Sequence, residues 1–399
     1  MSFLHPDYIH PSSSDDLPYS LDHLDALMDA AGIDVLLATS KHSVRYLLGG
    51  YQFIFFSAMD AIGHSRYLPV LVYVKGQPDG AAFIGNKMEG GEGQNHPFWV
   101  PRFEPATWNA TEPVDLAAAH LKERGISPER IGIEPSFIPI DAYQSLQTAF
   151  PAADLRNATG VLERLRAVKS PTELKLLKLA TEKISASIVA TVQATQEGWS
   201  KFEVIEKIKA EELSRGLMFD YCLLTLGASH NRAASSQTWQ TGEVLSIDSG
   251  GNYTGYIGDI CRMGFLGEPD AEAKDLLAQV ESVQQAAFAK IAPGTRGGDV
   301  IDAANAVKAS IDGASYTDFY AHGMGIITHE VPFLVKNHPV TYEAEDADQP
   351  LQAGMVVSVE TTMLHPTRGY IKLEDTVAVT ETGFELFGAD ARGYTLGGQ

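Results

Sequence analysis

Apolar residues follow two different rhythms along this chain, and the rhythm changes near residue 157. Before that point, short apolar runs alternate with helical stretches. "IDVLLAT" and "PVLVYVK" are rich in Val and Leu and are bounded by Gly, Pro, Ser or Asp, so they predict buried strands. "SLDHLDALMDAAG" carries Leu21, Leu24, Leu27 and Met28 at helical spacing, opened by a Ser cap and closed by Gly32. "LAAAHLKERGI" followed by "RIGIEP" predicts another helix-to-strand step. The expectation is an α/β domain over residues 1–157.

From residue 158 the pattern shifts to long amphipathic helices and then to strands that carry acids. Ser170 caps a helix, Pro171 takes its first position and Glu173 completes a capping box. Leu174, Leu177, Ile184 and Ile188 then fall on one stripe. A second helix, "KFEVIEKIKAEELSRG", ends at Gly216, and two more are expected at roughly 271–291 and 298–311. Strand-like runs fill the rest of an α+β domain over residues 158–399.

A length of 399 residues suits two domains, and 44% apolar with 20% charged residues suits a soluble protein with substantial cores. No apolar run approaches the roughly 20 residues of a membrane span, and the first residues lack a secretory pattern. Cys222 and Cys261, the two cysteines, exclude a disulfide framework and suit a reducing cytoplasm, the expected location. A formal net charge of −21 argues against nucleic acid or an anionic membrane as partner. Much of that charge is expected on solvated surface, as in the loop "EAEDAD" at 343–348. "YQFIFFSAM", residues 51–59, is expected to be core or a domain-interface wall.

The candidate chemistry lies in the second domain. "VLSIDSGGNYTGYIGDICRMG" places Asp248 and Asp259 eleven residues apart around a Gly-Gly-Asn turn, Gly250–Asn252, which predicts facing arms of a hairpin. Glu360 in "GMVVSVETTM" and Glu374 in "GYIKLEDTVAV" also sit inside apolar runs. A carboxylate inside a strand is costly to bury unless it is paired or coordinated. "HGMGIITHE", residues 322–330, sets His322 and His329 seven residues apart around two glycines. That offset is not the i, i+4 pair of a helical zinc site, and no H-E-x-x-H follows. Four carboxylates and an imidazole form a hard, oxygen-rich set suited to two divalent ions.

In order and in their neighbours, Asp248, Asp259, His322, Glu360 and Glu374 resemble the five ligands of the pita-bread metallopeptidases. That family includes methionine aminopeptidase, aminopeptidase P and prolidase, with creatinase as a metal-free relative. "SIDSGGNYTGYIGDICRMG", "AHGMGIITHEVP", "GMVVSVET" and "IKLEDTVAVT" each match its pattern around a ligand. "LERLRAVKSPTELKLLKLA" resembles the start of its catalytic domain, and the first domain resembles the creatinase-type N-terminal domain. The resemblance implies a creatinase-like α/β domain followed by a pita-bread catalytic domain, in a homodimer. It also implies two divalent ions, Mn²⁺ first and Co²⁺ or Zn²⁺ as alternatives, that activate a water.

By the same resemblance Glu360 is both ligand and proton shuttle, while His329 and His230 contact the substrate or the reacting centre. Relatives pair the latter histidine with tyrosine, whereas Asn231 follows here. Where prolidases carry an arginine two residues before the last glutamate, this chain has Lys372, a candidate for holding a substrate carboxylate. Cys261 is expected to be a small core residue. The implied activity is hydrolysis of dipeptides or N-terminal Xaa-Pro bonds. The alternatives are a creatinase-like hydrolase or lyase acting on a small non-peptide such as ectoine or a guanidino compound, and a non-catalytic binding module.

Overall fold

A computed structural model of the chain describes residues 10–52, 67–334 and 346–399. The chain divides into two compact units, residues 1–166 and 167–399. Among the described residues no helix is long and apolar enough to cross a membrane. Most of "YQFIFFSAM" and the first part of "EAEDAD" lie outside the described residues.

In the first unit the expected strands form as β1 (Val35–Ala38), β2 (Val70–Val74) and β5 (Arg130–Ile133). With β3 (Gln77–Asn86), β4 (Arg102–Thr107) and β6 (Asp154–Asn157) they build a mixed sheet in the order β4-β3-β2-β1-β5-β6. Its helices are α1 (Leu21–Ala30), α2 (Lys41–Leu47), α3 (Gly90–Asn95), α4 (Glu112–Glu123), α5 (Ile140–Ala149) and most of α6 (Thr159–Ala167). Val114, Ala117 and Leu121 of α4 and Leu146 of α5 pack against Val35, Leu37, Val70, Val72 and Ile131 of the sheet. Burying such side chains is worth about 1.5–3 kcal/mol each, which is what orders these short strands.

In the second unit α7 (Pro171–Ala194) begins as its sequence predicts. Ser170 accepts from the Glu173 N–H, and the Glu173 carboxylate accepts from the Ser170 N–H at 2.7 Å. Leu177, Ile184 and Ile188 of the stripe are buried, and Leu174 is half-buried. Helices α8 (Lys201–Ser214), α9 (Ala271–Phe288) and α10 (Gly297–Lys308) follow. They accompany a sheet in the order β11-β10-β12-β13-β9-β8-β7. Its strands are β7 (Met218–Leu226), β8 (Val244–Tyr253), β9 (Tyr256–Phe265), β10 (Thr317–Gly323), β11 (Glu330–Phe333), β12 (Val356–His365) and β13 (Gly369–Val379). Two short strands, β14 (Phe384–Phe387) and β15 (Thr395–Leu396), pair with β13 and β9.

Two expectations need correction. The β8–β9 hairpin does not turn at Gly250–Asn252. Tyr253 pairs with Tyr256, and the turn is Thr254-Gly255, both at positive φ, the geometry of a tight two-residue hairpin. Gly250 and Gly251 are in the strand because they lack side chains. A Cβ on Gly250 would stand 2.2 Å from the Tyr221 ring, and one on Gly251 would stand 2.4 Å from Ile184. Asp346, expected in a solvated loop, is buried, and its carboxylate accepts from the Phe333 N–H at 2.9 Å.

Candidate metal centre

Strand register alone gathers the candidate ligands. Side chains directly opposite one another in a sheet share a face, as do residues two apart on one strand. Asp248 is opposite Cys261, and Cys261 is opposite Glu374, which in turn is opposite Glu360. Asp259 shares the Cys261 face of β9. On β12, Ser358 shares the Glu360 face and is opposite His322. All five expected ligands therefore point from one face, drawn from β8, β9, β10, β12 and β13. The other face is mostly apolar: Leu245, Ile247 and Ile260 meet α7 and α8, while Val357, Val359, Val377 and Val379 pack with α9 and α10.

Three of the five converge. One donor atom from each of Asp259, His322 and Glu374 lies within 4.8 Å of the others, and all three residues are buried. Among the described residues, Asp259 Oδ1, His322 Nε2 and Glu374 Oε2 have no hydrogen-bond partner. An orphaned buried polar atom is expensive, and three orphans facing one point fit a cation. The imidazole is set for this role. Its Nδ1–H donates to the Gly323 carbonyl at 3.1 Å, which leaves the Nε2 lone pair directed at the site. Ser358 Oγ donates to Glu374 Oε1 at 2.7 Å and fixes that carboxylate. Burial, and then the neighbouring Glu374 and Asp248 carboxylates, push the Asp259 carboxyl well above the usual carboxylate range. Bound positive charge would relieve both causes.

Asp248 and Glu360 have a different partner. Lys372 Nζ stands 2.6 Å from Asp248 Oδ2, 2.5 Å from Glu360 Oε2 and 2.7 Å from Glu374 Oε2. The last contact is at ion-pair distance but is not a hydrogen bond. Burial by itself lowers the lysine pKa, but Asp248, Glu360 and Glu374 together outweigh it and hold the ammonium well above its ordinary value. Only 3% of the Lys372 side chain is exposed, so its charge meets three carboxylates of the protein rather than the substrate group expected for it. Arg232 also donates to Asp248 Oδ2, stacks its guanidinium over Tyr370, and keeps 32% of its side chain exposed.

The His329 ring is 4.0 Å from the His322 ring, centre to centre, and is half-buried. It therefore borders the cluster without belonging to the three converging donors. His230 is exposed, and its Nε2 meets the His365 carbonyl at 3.1 Å. Cys261 is fully buried, with its thiol pushed up first by burial and then by Asp248. Sequence reasoning missed Tyr221 and Arg232. The Tyr221 hydroxyl donates to Asp259, and burial together with the surrounding carboxylates keeps that phenol protonated. The only sequence signal for Tyr221 was Gly250, whose missing side chain makes room for the ring.

Residues 175–381 match the model of metallopeptidase family M24, and residues 21–168 match the creatinase/prolidase N-terminal domain. A putative dipeptidase, YkvY, of Bacillus subtilis is 26% identical over 371 residues, covering 88% of this chain and 93% of its own. A Xaa-Pro dipeptidase of Lactobacillus helveticus is 24% identical over 370 residues, covering 88% and 94%. The solved structure of a Xaa-Pro dipeptidase from Bacillus anthracis superposes with a TM-score of 0.77 at 24% identity, covering 94% of this chain and 98% of that one. The residues left short of partners are thus carried by a chain that belongs to metallopeptidase family M24, with a creatinase/prolidase N-terminal domain.

Proposed function

We propose that this chain is a metal-dependent peptidase that cleaves dipeptides or N-terminal Xaa-Pro bonds. The observation that carries the reading is the convergence of three buried donor atoms, on Asp259, His322 and Glu374, that have no hydrogen-bond partner among the described residues. A divalent ion held there would supply Lewis acidity and a water acidified to near neutral pH. The protein's own groups do the rest. Glu360 Oε1, 3.9 Å from His322 Nε2, accepts a proton from water and returns it to the leaving nitrogen. His329 stabilises the developing oxyanion, and Tyr221 holds Asp259 in position. His230 and the exposed part of Arg232 contact the substrate, with Arg232 rather than Lys372 offering a planar fork to a carboxylate.

The names of the relatives in B. subtilis and L. helveticus support a dipeptide substrate for this chain too. Mn²⁺ is the expected ion, and a cytoplasmic homodimer the expected assembly. The test is metal analysis coupled to hydrolysis of Xaa-Pro dipeptides, other dipeptides and longer peptides, with creatine and ectoine alongside. Cleavage of at least one peptide class only after metal is supplied is the expected result. One observation favours the second reading, a hydrolase of a small non-peptide: Lys372 is wholly engaged by carboxylates of the protein and does not offer its charge to a peptide C-terminus. Turnover of creatine or ectoine with no peptide cleaved would select it.

A further inference from the structure

We propose that the Lys372 ammonium stands in for the second divalent ion, so that this chain works with a single ion on Asp259, His322 and Glu374. The inference rests on the metallohydrolase reading above and goes on to fix its stoichiometry.

The geometry is one of competition for the same oxygens. A second ion would need Asp248, Glu360 and Glu374, at roughly 2.0–2.6 Å from their oxygens. Lys372 Nζ already stands 2.5–2.7 Å from one oxygen of each. A dication and an ammonium cannot share that position, and at about 4 Å apart they would still repel strongly in a buried site. The orphaned atoms divide the same way. Among the described residues Asp259 Oδ1 and His322 Nε2 have no hydrogen-bond partner, Asp248 accepts from both Lys372 and Arg232, and Glu374 Oε2 lies between the two positions, 2.7 Å from Lys372 Nζ.

Formal charge agrees. Asp248, Asp259, Glu360 and Glu374 carry four negative charges, and Lys372 and Arg232 return two positive ones. The remainder is the charge of one divalent ion. With two ions, Lys372 and Arg232 would leave the cluster in positive excess. The lysine cannot readily leave, because its side chain is 3% exposed on the interior strand β13 between β12 and β9.

The experiment uses the full-length protein, equilibrated with Mn²⁺ and freed of excess, with bound metal measured per chain and the Mn²⁺ spin signal recorded. The wild type is expected to hold one ion per chain with the hyperfine-split signal of an isolated Mn²⁺. Lys372→Met frees the three carboxylates, and a second ion with an exchange-coupled signal is expected. Two ions with an exchange-coupled signal in the wild type overturn the proposal. So does a folded Lys372→Met that stays at one. If Lys372→Met does not fold, the wild-type stoichiometry and spin signal still decide. No bound ion at all is a different failure, since it removes the metallohydrolase reading itself.

Discussion

Glu374 and Asp375 are neighbours on β13, both buried, and they face opposite sides of the same sheet. On the outer side Asp375 is fully matched. Arg262 Nη2 donates to it at 2.7 Å, and Arg392 donates to its other oxygen. Arg262, with no exposed side chain, also donates to the carbonyls of Cys261, Glu374, Gly388 and Asp390. On the inner side Glu374 Oε2 accepts no hydrogen bond among the described residues, although Lys372 Nζ stands 2.7 Å away, and it lies beside the orphaned atoms of Asp259 and His322. Glu134 of the first unit repeats the outer pattern, accepting from the N–H groups of Thr39 and Ser40 and the hydroxyls of Ser40 and Ser43. A buried carboxylate that serves the fold is saturated with donors. One that serves chemistry is left short, and the deficit marks where a ligand belongs.

The comparison breaks most severely on the inner face. His322→Ala should lose the ion and with it measurable peptide or small-molecule hydrolysis, while unfolding of the metal-free protein stays close to wild type. His329→Ala should keep the ion and lose about 10²–10⁴ in rate, as a general acid–base or oxyanion contact typically costs. Bound metal and turnover measured on both variants check this. The assignment fails if His329→Ala loses the metal and His322→Ala keeps it.

The outer face should respond in the opposite sense. Arg262→Met leaves Asp375 short of a cation and four carbonyls short of a donor. Breaking a buried pair from one side typically costs about 3–5 kcal/mol. Urea unfolding of the metal-free protein should show a loss of that size, whereas the fraction that remains folded should still take up metal. If Arg262→Met is as stable as wild type, the outer pair is not the fastener described.

Legibility followed the same division. The α7 start was readable because a capping box is local: Ser170, Pro171 and Glu173 act within one turn. The acids in strands were readable because alternation with period two assigns each to a face. The turn at Thr254-Gly255 was not, because Gly250 and Gly251 look like turn residues until Tyr221 and Ile184 are seen to need their space. Tyr221 and Arg232 come to the site from β7 and the segment after it, where a register shift between Phe219 and Tyr221 sets the approach, and no sequence spacing reports that. Lys372 stands out in the sequence, but its charge alone points to a substrate carboxylate. Its position two residues before Glu374 already placed it on the ligand face. Only the distances show that Asp248, Glu360 and Glu374 occupy it.

A gentler probe of the inner face is Ser358→Ala. The hydroxyl donates to Glu374 Oε1 at 2.7 Å and leaves Oε2 for the ion. Partners that orient a ligand are typically worth 10–100-fold in metal affinity, so about that weakening is expected, with the stoichiometry unchanged. Titration of the metal-free variant with Mn²⁺ reads it directly. Unaltered affinity would mean that Glu374 is held by the strand alone.

The smallest expected effect comes from an exception on the outer face. Glu212 of α8 is fully buried. Its Oε1 accepts from Ser249 Oγ at 2.8 Å, but among the described residues its Oε2 has no hydrogen-bond partner and no cation pairs with it. Burial raises its pKa from 4.5 to about 8. In the unfolded chain the carboxyl loses its proton near the ordinary value, while in the folded chain it keeps it to about pH 8. Between those limits the folded state binds the extra proton, so stability falls as pH rises through the window and levels off above it. Glu212→Gln keeps an acceptor for Ser249 and removes the titration. Near pH 5 the variant and wild type should unfold at nearly the same denaturant concentration. By pH 8 the variant should be the more stable by about 1–2 kcal/mol, a fraction of what a fully dry site would give. Parallel denaturation curves at the two pH values measure the difference. A gap that does not widen with pH would show that Glu212 is ionised in the folded protein, with a partner that water supplies.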